Sequence, residues 1–89
     1  MMKRADILDT AKGYVTGDRE EQHGNLGDNF VRISQMWGAY LNVNISAHDV
    51  GAMMALLKIA RIKHNPTSAD NWVDGAGYLA CGGEMGVDE

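Results

Sequence analysis

A chain of 89 residues with a net charge of −4 and a single cysteine makes one domain, residues 1–89, and has no disulfide framework to hold it. No Lys/Arg stripe interleaved with aromatics is present, which argues against DNA or RNA binding. No apolar run reaches the roughly 18 residues of a membrane span, and the opening residues Met1–Asp6 meet charges where a signal peptide needs an apolar block. The expectation is a cytoplasmic protein without membrane attachment. A chain this short buries only about 60–65% of its unfolded surface, so a homo-oligomer is expected as well.

The first segment, Arg4–Val15, places Ala5, Leu8, Ala11 and Val15 on one face and predicts a helix over roughly 3–15, broken at Gly17. Residues 16–27 have turn composition. From Asn29 to Leu41, Phe30, Ile33, Trp37, Tyr40 and Leu41 recur at offsets of three and four, which predicts a helix over 27–42 with that stripe turned inward.

Ser46 followed three residues later by Asp49 is a capping-box start. The helix that follows, over 47–64, is apolar nearly all round until Lys58 and reads as the central, most buried element. It ends before Pro66, the only proline, which disfavours a helical Asn65. Ser68 or Thr67 can cap a last helix over 68–84, with Asp70 in its first turn, favourable to the helix dipole. Four helices with short connections imply an all-α fold, a small and antiparallel bundle. Gly75, Gly77, Gly82 and Gly83 each oppose helix formation by up to about 1 kcal/mol. Close packing of helices or close approach of a ligand would offset that.

Charge divides the C-terminal half. Residues 46–66 carry Lys58, Arg61 and Lys63 against Asp49, whereas residues 67–89 carry Asp70, Asp74, Glu84, Asp88 and Glu89 with no lysine or arginine. In a hairpin about Pro66, Lys58 lies level with Asp74, and Arg61 lies close to Asp70 or Asn71. Two interhelical ion pairs are one reading. The other is a site in which Lys58 and Arg61 face a phosphate and Asp70 and Asp74, at i and i+4, hold a divalent cation. His23, in the turn Gln22–Asn25, is a candidate for proton transfer or for closing the site. No histidine pair has zinc spacing, and Cys81 lacks a basic neighbour that would stabilise a thiolate.

The ordered set of His23-Gly24, Asn29-Phe30, Trp37, Tyr40-Leu41, Asp49-Val50, Lys58, Arg61, Asp70, Asp74 and Gly77-Tyr78 resembles a family of short phage and prophage proteins of unassigned function. More remotely, a small bundle with a late Asp-rich helix is similar to the MazG-like all-α nucleotide pyrophosphatases. That likeness implies nucleotide binding and Mg²⁺-dependent release of pyrophosphate. On this chain it would place His23 in catalysis, Lys58, Arg61, Asn29 and Tyr78 on the ligand, and Asp70 and Asp74 on Mg²⁺. Glu20 and Glu21 match the start of that family's Glu-Glu-x-x-Glu helix, and Gly24 stands at its third glutamate.

Three functions remain open on the sequence. The first is a phage-encoded bundle that binds, or also hydrolyses, a nucleotide. A second is a non-enzymatic anti-defence protein that inhibits a host protein or traps a nucleotide signal. The third is a structural or assembly subunit in which Met53, Met54, Trp37 and Trp72 form core and oligomer contacts.

Overall fold

Helix starts are written into the chain by side chains that satisfy orphan backbone donors, and the structure, a computed structural model, describes residues 2–18 and 25–87. At the first start the backbone N–H of Lys3 donates to Asp6 Oδ2 at 2.9 Å, opening α1 (Arg4–Gly13). The chain then continues through one wider π turn, Tyr14–Asp18, that contains Gly17. Gly17 therefore lies inside a helical turn rather than ending the helix. A π turn widens the backbone locally, and it delivers Val15 to α4, where its Cγ1 lies 3.2 Å from the position of a β-carbon on Gly77.

The second helix, α2 (Leu26–Leu41), is capped by Asn25, whose side chain accepts from the Asp28 N–H at 3.1 Å. Phe30 and Ser34 are buried, while Ile33 and Trp37 are half-buried. Tyr40 and Leu41, expected on the inner stripe, are instead 88% and 53% exposed. The cause is local. Asn42 takes a left-handed conformation at φ 56°, and the Val43 N–H donates back to the Gly38 carbonyl, a reversal in which the last turn of α2 faces solvent. A β-carbon on Gly38 would stand 2.9 Å from the Val43 carbonyl oxygen, so the reversal requires glycine there.

The capping box expected at Ser46 is present. The Ser46 hydroxyl accepts from the Asp49 N–H, and Asp49 Oδ2 accepts from the Ser46 N–H at 3.0 Å. It opens α3 (Ala47–His64). Across a tight connection, α4 (Ala69–Gly86) returns antiparallel and makes the largest helix–helix contact in the molecule. Ser68 occupies the N-cap position without a side-chain hydrogen bond, and the helix runs two residues past Glu84.

The expectation that α3 is the central, most buried element holds for one side of the helix only. Val50, Gly51 and Ala55 are buried, with Met54, Lys58 and Ile62 half-buried beside them, but Met53, Leu56, Leu57 and Ile59 are exposed. One side of α3 packs on α4 and α2; the other meets solvent. The bundle is all-α, with α1 and α2 set against α4 and α3 respectively. Its fully buried large side chains are Phe30 and Val50.

Candidate functional site

The α3–α4 hairpin brings the charged candidates together, and a side-chain lock fixes its turn. Asn65 Oδ1 accepts from the Thr67 hydroxyl at 2.9 Å, and the Trp72 indole N–H donates to the Pro66 carbonyl at 2.9 Å. The indole bond satisfies a backbone carbonyl just past the end of α3, where carbonyls lack helical donors, and the Asn65–Thr67 bond fixes the turn.

Register follows from two contacts. Gly51 meets Gly82 near the far end of the hairpin, and Lys58 Nζ pairs with Asp74 Oδ2 at 3.0 Å midway along it. The Lys58 side chain is 11% exposed and that of Asp74 28%. Gly75 lies beside the lysine stem, where a β-carbon would stand at ordinary contact distance, 3.7 Å, from Lys58 Cβ. Charge pairing with Asp74 lets the lysine stem cross the helix interface.

One turn nearer the hairpin tip, Arg61 lines a shallow, open depression of about 480 Å³ with Leu57, Ala60, His64, Asn65 and Asn71. Of the two ion pairs read from the sequence, only Lys58–Asp74 forms among the described residues. Arg61 shares the depression with Asn71, and its expected pairing with Asp70 is absent among the described residues. Its lining combines the apolar side chains of Leu57 and Ala60 with a guanidinium, an imidazole and two amides. Arg61 and His64 lie in the last turn of α3, where the helix dipole favours cations.

Other candidates lie apart from this depression. Asn29 accepts from the Arg32 guanidinium at 3.0 Å in the first turns of α2. Tyr78 packs its ring against Phe30, centroids 6.3 Å apart and tilted by 31°. Asp70 is exposed in the first turn of α4. His23 lies outside the described residues, as do Glu20 and Glu21.

Among the described residues no group of three or more His, Cys, Asp or Glu side chains is placed to hold a metal ion. The carboxylate of Asp74 is already occupied by the Lys58 ammonium. Asp70, four residues earlier on α4, is exposed and has no ion pair among the described residues. Cys81 on α4 is half-buried, and burial, with Glu84 nearby, pushes its thiol up from the usual range. That is an environment for an inert thiol rather than a nucleophile.

His64, Asn65 and Asn71 join Arg61 in a way that sequence reading only partly anticipates. Favourable contact with the helix dipole is a sufficient account of His64 taken alone. The available signal is spacing: Leu57, Ala60, Arg61 and His64 stand at i, i+3, i+4 and i+7 on one face of α3.

No solved structure matches the chain. Among curated proteins it is similar to the Gene 55 protein of Mycobacterium phage L5, at 40% identity over 84 residues, which cover 93% of this chain and 54% of that protein. It is also similar to the Gene 55 protein of Mycobacterium phage D29, at 37% identity over 75 residues, covering 84% of this chain and 50% of the relative. The chain thus spans about half the length of these relatives. Both are phage proteins, in keeping with the phage-type pattern of the sequence. Residues 6–86 match the model of the domain of unknown function DUF6378, and the chain belongs to that family.

Proposed function

We propose that this is a small phage-encoded helical protein that binds a nucleotide, or a related phosphate-bearing small molecule, at the tip of the α3–α4 hairpin. One observation carries the reading. Arg61 has no carboxylate partner among the described residues, and it lines an open depression with His64, Asn65 and Asn71 beside the apolar Leu57 and Ala60. A guanidinium offers paired N–H donors to phosphate oxygens, and the adjacent apolar side chains can take a base or ribose face. Lys58, one helical turn away, is paired with Asp74, so Arg61 is the cation that the reading assigns to the ligand.

Retention of the ligand is favoured over its hydrolysis. Pyrophosphate release by a metal needs carboxylates free to hold the metal, and Asp74 is paired with Lys58. A nucleotide trap needs no metal, so the anti-defence reading is compatible with the same residues. Such a protein would act in the cytoplasm of the host cell.

The test is a thermal-shift screen of the whole chain against nucleoside mono-, di- and triphosphates and cyclic dinucleotides. Mass action gives about 2.7 kcal/mol of stabilisation at a ligand concentration of about 100 Kd. At least one ligand is expected to raise Tm, and Arg61→Ala to remove the shift while leaving the unliganded Tm unchanged. A flat response across the panel, or a shift indifferent to Arg61→Ala, overturns the site. Pyrophosphate release in Mg²⁺ by the wild-type chain would replace the trap with an enzyme.

A further inference from the structure

The solvent face of α3 is apolar over its length and has a symmetry of its own. Counting outward from Leu56, Met53 is matched by Ile59, Ala52 by Ala60, and Asp49 by Lys63. The apolar positions are paired like with like, whereas the terminal charges are paired with opposite sign. Leu56 is 62% exposed, Ile59 55% and Met53 39%. These positions fall on one stripe at heptad-like spacing, opposite the buried Gly51, Ala55 and Lys58 side.

We propose that a second copy of this chain docks on this stripe, with the two α3 helices antiparallel and the twofold axis at Leu56. In that register Leu56 meets Leu56 of the second copy, and the small Ala52 and Ala60 meet each other and allow close helix approach. Asp49 lies opposite the second copy's Lys63 at both ends. Asp49 Oδ2 is held by the Ser46 N–H and Oδ1 lies 3.6 Å from His48 Nε2, so the second copy's lysine would join this polar cluster, and Lys63 is exposed with no ion pair among the described residues. An isologous interface demands this self-complementarity, and a parallel arrangement would set Asp49 against Asp49.

A stable dimer needs about 800 Å² from each partner, and the exposed apolar side chains Met53, Leu56 and Ile59 are where this face would supply it. Trp72 at 46% and Leu79 at 57% exposure on α4 add to the apolar surface available.

The test is the mass of the full chain by light scattering or sedimentation, joined to cysteine cross-linking. The wild-type chain is expected at twice 9.7 kDa. Leu56→Glu, at a solvent-facing position, is expected to keep the helical circular dichroism and weaken association about 30-fold or more. In a Cys81→Ser background, Leu56→Cys is expected to oxidise to a disulfide-linked dimer. Lys63→Cys alone should not, whereas its mixture with Asp49→Cys should. A wild-type monomer, a dimer indifferent to Leu56→Glu, or self-cross-linking through Lys63→Cys overturns the proposal.

Discussion

Gly51 and Gly82 face each other across the α3–α4 hairpin so closely that a β-carbon on Gly51 would stand 2.7 Å from the Gly82 Cα and 2.9 Å from the Tyr78 carbonyl oxygen. The obstructing atoms are backbone, so no rotamer can relieve the clash. Both glycines are buried in helix interiors, where glycine alone opposes helix formation by about 1 kcal/mol relative to alanine. The close contact is what offsets that preference.

A pair of alanine substitutions separates the two effects. Gly51→Ala is expected to destabilise the protein by about 1–3 kcal/mol, because overpacking outweighs the gain in helix propensity. Gly83→Ala, at an exposed position with nothing within 4 Å of the added carbon, is expected to stabilise by about 0.5–1 kcal/mol. Urea unfolding of the two variants reads both signs. A stabilising Gly51→Ala would mean that the helices part freely at this contact.

The Lys58–Asp74 pair is only partly desolvated, which sets it between surface and buried ion pairs in strength. Lys58→Met and Asp74→Asn are each expected to cost about 1–2 kcal/mol, since each leaves a half-buried partner without its counter-charge. The double variant Lys58→Met/Asp74→Asn is expected to cost about 1 kcal/mol less than the sum of the two single effects, the coupling that a double-mutant cycle reads. Strictly additive single effects would show that the two side chains are neighbours without being partners.

Local rules made much of this fold readable from its residues. The Ser46–Asp49 box, the single Pro66 and the Asn25 turn mark helix boundaries because each acts within a few residues of itself. The level pairing of Lys58 with Asp74 was readable because a short hairpin leaves little choice of register. The apolar stripe of α2 continues to Tyr40 and Leu41 in the sequence, but the left-handed Asn42 and the tight return over Gly38 decide exposure there. On α3 an all-round apolar pattern looks the same whether its second face is covered by the fold or by another molecule, so the pattern alone does not fix how much of the helix is buried. The depression around Arg61 depends on which side chains flank a turn, and composition carries little of that. Asn29 and Tyr78 share the phage-type pattern with Arg61, yet packing places them in other contacts.

Acid should loosen the start of α3. Hydrogen bonds from the Ser46 backbone N–H and then from its hydroxyl hold the Asp49 carboxyl below its ordinary value of 3.8, with His48 adding a smaller electrostatic contribution. A carboxyl whose pKa is lower folded than unfolded binds more protons when unfolded, so stability rises with pH across that interval. Its contribution is complete above 3.8 and is lost as pH falls through the lower, folded value. Unfolding of wild type and Asp49→Asn should therefore differ by a constant amount at neutral pH, and the gap should close on descending below pH 3.8. The comparison is best made with Leu56→Glu in both chains, so that association through Asp49 and Lys63 does not enter. Amide exchange at Asp49 and Val50 should quicken over the same interval if the capping box is what acid breaks. A gap between the two chains that persists unchanged into strong acid would assign the effect of Asp49→Asn to packing instead of to the ionised cap.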